Sequence, residues 1–236
     1  MDFYNKFIRS VLDFPIKGIN FRDITPLLAD GDAFHQVIMD LNKELPSYDK
    51  YDKFIAAESR GFIFASPLAS MNNKGLVLAR KANKLPLVGY RATYKLEYGE
   101  ATIEIPKDAI KPGDRVIIMD DLIATGGSAK AMVDLVKAAG GIPVMGLFLI
   151  ELRSLQGYKQ LGIPVVSIVS YGLHEGDYLQ LQFTKQPIGK FIKKINETDI
   201  EVEYEDKSTE IINKNRIVNI IQYEKNGRIT YIRYRD

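Results

Sequence analysis

The chain has 236 residues, 32 Lys plus Arg against 30 Asp plus Glu, and neither Cys nor Trp. That length suits one α/β domain with an appendage or two small domains, and a composition of 46% hydrophobic and 26% charged residues excludes wholesale disorder. A net charge of +2 argues against a dedicated nucleic-acid partner, and the missing cysteines remove disulfide scaffolds, thiol nucleophiles and Cys-ligated metal centres.

In chain order, Phe3, Phe7, Ile8, Val11 and Leu12 have helical spacing, so a helix is expected over 3–12, ended by Pro15. Phe34, Val37, Ile38, Leu41 and Leu45 predict a second helix, over 34–45, stopped by Pro46. Short apolar runs then alternate with helical stretches. Strands are expected at Phe54–Ala57, Leu76–Ala79, Val116–Met119, Val144–Ile150 and Val165–Val169, with helices over 62–71, 129–139 and 155–161. Unalternated runs separated by helices predict an α/β fold, a parallel sheet with flanking helices. Ligands in such folds sit at the carboxyl ends of the strands. Residues 1–184 carry 21 basic and 21 acidic side chains, and the remaining 52 carry 11 and 9 with almost no helical periodicity. Ile200, Val202 and Tyr204 alternate with acids, and two apolar runs flank Asn226-Gly227, so 185–236 is expected to be a small antiparallel β appendage outside the α/β unit of 1–184. A three-residue loop pairing Glu224 with Arg228 avoids the like-charge Lys225–Arg228 pair that a two-residue turn would create.

No signal peptide is read from the polar start Met1–Lys6, and the longest apolar stretch, Val144 to Ile150, is far short of a membrane span. A cytoplasmic protein without a membrane partner is expected. His35 and His174 fit no metal-ligand spacing and read as structural.

The most informative segment is VIIMDDLIATGGSAK, residues 116–130. A buried strand delivers Asp120 and Asp121 to its carboxyl end, and the loop Ala124-Thr125-Gly126-Gly127-Ser128 opens a helix. Backbone N–H groups at a helix N-terminus cradle anions, and glycines let the backbone approach a phosphate. Carboxylates beside a phosphate need partners of their own, which sugar hydroxyls or Mg²⁺ supply. The segment suits a ligand with a phosphate at one end and a diol at the other, such as ribose 5-phosphate. Neither GxxxxGK[ST] nor GxGxxG is present.

This segment resembles the phosphoribosyl diphosphate (PRPP) motif of the type I phosphoribosyltransferases. DFPIKGINFRDITPLL (13–28), ESRGFIF (58–64) and RKANKLPLVGYRATYKLEYG (80–99) are similar to the adenine phosphoribosyltransferase branch of that family, in register over about residues 3–175. The resemblance implies conversion of adenine and PRPP to AMP and pyrophosphate by displacement at ribose C1′, with Mg²⁺ held mainly through PRPP and no direct protein ligand, and a homodimer. It assigns Asp120 and Asp121 to the ribose hydroxyls and Ala124, Thr125, Gly126, Gly127 and Ser128 to the 5′-phosphate. Ser59 and Arg60, in a loop where the family commonly has a cis peptide before the Ser, go with Arg80, Lys81 and Lys84 to the pyrophosphate. Phe21 would stack on the adenine, with the backbone near Asn20 and Arg22 reading its edge. Residues 81–100 resemble a mobile catalytic loop carrying Glu97 as the proton-exchanging group. Asn20 departs from the apolar residue common in the family, which would alter selectivity only if its side chain entered the base pocket. The alternatives are another purine (hypoxanthine or guanine) or a non-catalytic PRPP-sensing regulator.

Overall fold

The computed structural model describes residues 3–95, 99–173, 178–181, 188–195, 199–223 and 229–233. Its strands are β1 (Arg9–Leu12), β2 (Asn20–Asp23), β3 (Lys53–Ala57), β4 (Gly75–Lys81), β5 (Val88–Lys95), β6 (Glu100–Pro106), β7 (Arg115–Ile123), β8 (Ile142–Leu152), β9 (Val165–Tyr171), β10 (Tyr178–Leu181), β11 (Ile188–Lys194), β12 (Asp199–Glu203), β13 (Thr209–Asn213), β14 (Ile217–Tyr223) and β15 (Ile229–Arg233). The α-helices are α1 (Thr25–Ala29), α2 (Gly31–Lys43), α3 (Arg60–Met71) and α4 (Gly127–Ala138).

The main sheet has seven strands in the order β5-β6-β4-β3-β7-β8-β9. From β4 to β9 all neighbours are parallel, as the unalternated apolar runs predict, while β6 is antiparallel to both β4 and β5. Strand alternation divides the core between the two faces. Phe54, Ala56, Ile117 and Met119 join α2 and α3 on one side, and Ile55, Ile118 and Phe148 join Met132, Val133 and Val136 of α4 on the other. Asp30 caps α2 by accepting the Ala33 N–H at 2.9 Å, and the helix buries Ala33, Val37, Ile38 and Leu41.

Three local expectations are corrected. Over 3–12 only Phe3–Lys6 is helical, as a 3-10 turn; Arg9–Leu12 is a strand paired with β2, which leaves Leu12 73% exposed. The apolar spacing there serves a hairpin whose hydrogen bonds go across to Asn20–Asp23. Over 155–161 there is no α-helix but two 3-10 turns, Arg153–Leu155 and Gly157–Gln160, separated by Gln156 at φ 53°. Much of 81–100 is the regular strand β5, forming with β6 an antiparallel arm.

The second sheet has six antiparallel strands in the order β13-β12-β11-β10-β14-β15 and buries its own apolar cluster of Leu179, Leu181, Phe191, Ile200, Val202, Tyr204, Ile212 and Ile217. Tyr178–Leu181 lies inside it, between β11 and β14, so the changeover between sheets falls between β9 and β10, before the 184/185 boundary expected from composition. Its hairpin pairs Tyr223 with Ile229, the register that the three-residue loop requires. The loop residues 224–228 themselves lie outside the described residues, as does His174.

Candidate active site

Asp120 and Asp121 lie in the carboxyl-terminal half of β7, which continues beside β8 to Ile123. Gly61, in the first turn of α3, makes room for the first acid, because a Cβ there would stand 2.9 Å from Asp120 Oδ1 and 3.1 Å from the Met119 carbonyl. The same Oδ1 accepts the Asp121 N–H at 2.9 Å. Asp121 is buried, with Arg60 Nε 3.1 Å from its Oδ2, an oxygen that has no aligned hydrogen bond. Burial, then the neighbouring Asp121 charge, holds the Asp120 carboxyl well above the usual carboxylate range. Burial also raises Asp121, against the opposing pull of Arg60.

The folded chain therefore keeps a proton on Asp120 at pH values where the unfolded chain has lost it. The stability this provides is complete below the unfolded value and disappears as pH rises through the folded one. Asp120→Asn should raise the melting temperature of the ligand-free protein at pH 7 to 8, by about 2–4 °C for each kcal/mol recovered. It should leave the melting temperature unchanged near pH 3, where both states are protonated. Calorimetry at the two pH values checks this, and an equal shift at both would refute the electrostatic cause.

After β7, Ala124 is half-buried and Thr125 exposed, and Gly126 turns the chain into α4 at φ 87°. A Cβ on Gly126 would stand 2.3 Å from the Gly157 carbonyl oxygen, and one on Gly157 would stand 2.2 Å from that of Ala124. Gln160 Nε2 donates to the Thr125 carbonyl at 2.7 Å. The loop is thus braced by Gly157 and Gln160, and the first N–H groups of α4, at Gly127 and Ser128, have no partner within the helix. The arm reaches the same place. The Cβ position of Gly127 is 3.2 Å from the Lys95 carbonyl and from the Tyr94 ring. A cleft of about 490 Å³ between arm and loop is lined by Thr93, Tyr94, Lys95, Thr125, Gly127 and Gln160 among others. Burial, then the Asp120 charge, raises the Tyr94 hydroxyl.

The turn after β3 carries a cis peptide at Glu58–Ser59. Ser59 is exposed, and Arg60 points to Asp121 with its guanidinium 5.3 Å from the centre of the Phe21 ring. Arg80 is engaged by Glu58 (Nε to Oε2, 3.2 Å), which also accepts the Lys81 N–H at 3.0 Å; these bonds, Arg80 first, hold the Glu58 carboxyl below its usual range. Lys81 and Lys84 are exposed.

On the hairpin β1–β2, Phe21 is half-buried with the Phe14 ring edge-on at 5.2 Å. Asn20 and Arg22 project to the opposite face of the ribbon from Phe21. The Asn20 side chain is exposed, and Arg22 is buried with its guanidinium 3.8 Å from the centre of the Tyr171 ring while donating to Ser10 Oγ. Only the main chain of these two residues accompanies the Phe21 ring. Asp23 fixes the exit to α1, accepting from the Thr25 N–H at 2.9 Å and from Arg9 Nε at 3.0 Å, and that backbone bond foremost lowers its pKa to about 2. Glu97 lies in 96–98, outside the described residues.

Gly157 and Gln160 carry no role in the sequence reading, and Glu58 and Gly61 enter it only as members of the loop Glu58-Ser59-Arg60-Gly61, without roles of their own. Glu58 and Gly61 sit inside the ESRGFIF segment, where the cue was available. Gln160 lies 35 residues beyond the Thr125 carbonyl it braces, and neither it nor Gly157 carries a local signal.

The family model described as Phosphoribosyl transferase domain matches residues 28–147. A Rubrobacter xylanophilus protein named adenine phosphoribosyltransferase is 49% identical over 166 residues, covering 70% of this chain and 89% of that one. The crystal structure of adenine phosphoribosyltransferase from Thermoanaerobacter pseudethanolicus superposes with a TM-score of 0.68 at 46% identity, over 70% of this chain and 96% of that one. The Saccharomyces cerevisiae enzyme, solved with adenine and an imino-altritol bisphosphate, gives 0.64 at 37% identity over 70% and 95%. Because the family model spans half of the sequence and these relatives are matched over most of their own length, the chain belongs to the phosphoribosyltransferases, in the adenine phosphoribosyltransferase branch.

Proposed function

We propose that the residues described above carry the conversion of adenine and PRPP to AMP and pyrophosphate in the following way. The observation that carries this reading is the junction of β7 and α4: two acids, a braced glycine loop and a helix N-terminus in one continuous turn of chain. Asp120 and Asp121 accept the ribose hydroxyls, and the Ala124–Ser128 loop takes the 5′-phosphate through main-chain N–H groups and the Thr125 and Ser128 hydroxyls. Phe21 stacks on the adenine while the main chain at Asn20 and Arg22 reads its edge, which leaves the Asn20 side chain without a part in selectivity. Ser59, Arg60, Lys81 and Lys84 receive the pyrophosphate, and Arg80, tied to Glu58, adds its charge and fixes their turn. A ribose hydroxyl that takes Asp121 Oδ2 displaces Arg60, which lies 3.1 Å from that oxygen. Glu97 exchanges the purine's proton, and the arm closing on Gly127 excludes water.

Mg²⁺ fits this donor set. Among the described residues no cluster of three or more His, Cys, Asp or Glu could hold a metal by itself, and Asp120 and Asp121 are assigned to the ribose hydroxyls, so the ion would be held mainly through PRPP oxygens and water, as Mg²⁺ commonly is. When bound, the ion neutralises charge building on the leaving pyrophosphate. AMP formation monitored by chromatography, with and without EDTA, tests the reading; full activity in EDTA would contradict the role of the ion.

The family's homodimer and a cytoplasmic location follow from the same reading. Among the described residues no helix is long and apolar enough to cross a membrane. The second sheet, with a core of its own, is an accessory to the chemistry. Ending the chain after Leu173 should leave kcat within about threefold, a difference below 1 kcal/mol. Loss of PRPP binding in a shortened chain that is still folded would place the second sheet in the site.

A further inference from the structure

Glu104 is 1% exposed and stands in β6 between Ile103 and Ile105, which pack with α4 on the other face of the sheet. Register places Arg80, Glu104 and Arg91 in one row across β4, β6 and β5. Glu104 Oε1 lies 2.8 Å from Arg91 Nε, and Oε2 accepts the Asn83 N–H at 3.2 Å. Glu58 does the same from the other side, with one guanidinium (Arg80) and one main-chain N–H (Lys81). Between them the Ala82 N–H donates to the Thr102 carbonyl at 3.1 Å. Three consecutive N–H groups of the turn are thus fixed, with Asn83 at φ 65°, and Lys81 and Lys84 are left exposed.

A buried carboxylate is a costly way to hold a strand, since an apolar residue of similar size is often as stable or more so. Spending one of its oxygens on the main chain of the cationic turn has a different use. We propose that Glu104 is a positioning residue that sets the Arg80–Lys84 turn to receive the pyrophosphate group of PRPP, and that through Arg91 it ties this turn to the β5–β6 arm. The inference rests on the assignment of Lys81 and Lys84 to the pyrophosphate.

Glu104→Gln keeps the shape and one acceptor but turns an amide against Arg91. It should raise KM for PRPP and Kd for pyrophosphate about tenfold, the effect of losing one charge-assisted hydrogen bond, and leave KM for adenine unchanged. Arg91→Gln should move the same two constants in the same direction; because it leaves the buried Glu104 carboxylate without its cation, the melting temperature of both variants is measured alongside and the constants are taken where each is folded. Lys81→Ala and Lys84→Ala, measured alongside, should weaken both anions too. If these lysine variants bind PRPP and pyrophosphate normally, the assignment of the turn fails and the inference with it. If they weaken binding while Glu104→Gln and Arg91→Gln do not, or if the latter two change adenine and PRPP constants alike, only the positioning role is overturned.

Discussion

Glu97→Gln should lower kcat for AMP formation by roughly 10²–10⁴-fold, the span of general acid–base catalysis, with the Kd for PRPP within about threefold of the parent, less than 1 kcal/mol. The reason is placement along the arm. The carbonyl of Lys95 comes within 3.2 Å of the Cβ position of Gly127, so β5 ends against the loop proposed to take the 5′-phosphate. Glu97 follows by two residues, in a stretch bounded by β5 and β6. The resemblance of LEYG to the family's catalytic loop is what assigns the purine's proton to Glu97. Gln keeps the size and a hydrogen-bonding oxygen but cannot accept and return a proton at neutral pH. Steady-state rates and PRPP titrations of the two proteins check both halves of the expectation. An unchanged kcat would remove Glu97 from the chemistry.

Gly126→Ala should weaken PRPP binding more than about 100-fold, equivalent to roughly 2.7 kcal/mol. Two effects act together. At φ 87° a non-glycine residue is strained by roughly 1–2 kcal/mol. The added methyl would also stand 2.3 Å from the carbonyl oxygen of Gly157, a main-chain atom that no rotamer change can move. Gly157 has no slack of its own, because it already abuts the Ala124 carbonyl. The loop must shift, and its N–H groups then no longer converge. Gly127→Ala provides the contrast. Its methyl would meet Lys95 and Tyr94 of the arm at 3.2 Å, so the arm can give way while the loop stays. PRPP affinity should then fall less than tenfold. Calorimetric titration of both variants checks the ranking; wild-type affinity in Gly126→Ala would show that the loop does not hold the phosphate. Asp120→Asn tests the other end of the sugar, since the stability it gains should be matched by weaker PRPP binding.

The parallel order of the main sheet was legible because β3, β7 and β8 are buried on both faces and so read as unbroken apolar runs. Asp120 and Asp121 were legible because two acids directly after such a run have no place in a core. Elsewhere the local pattern was ambiguous. Phe3 to Leu12 has helical spacing, yet Arg9–Leu12 finds its hydrogen-bond partners in Asn20–Asp23 across a turn. Residues 155–161 carry helical apolar spacing, but Gln156 in the left-handed region divides them into single turns. Glu104 could not be read at all. A Glu between two isoleucines in a strand looks like an outward residue, and only the addition of β5 at the sheet's edge with Arg91 covers it. Likewise, Arg60 and Arg80 were legible as cations, but their carboxylate partners Asp121 and Glu58 emerge only when the ends of β3, β4 and β7 are brought together.

The most direct measurement is the initial rate of the pure protein with PRPP and Mg²⁺ and each of adenine, hypoxanthine and guanine at equal concentration, with nucleotide and pyrophosphate quantified together. AMP and pyrophosphate should appear in equal amounts from adenine, and rates with hypoxanthine and guanine should be lower by more than about 100-fold, as expected when a site's polar groups pair with one base edge and are left unpaired by another. Faster turnover of hypoxanthine or guanine, or binding of PRPP with no turnover of any base, would contradict the proposed function.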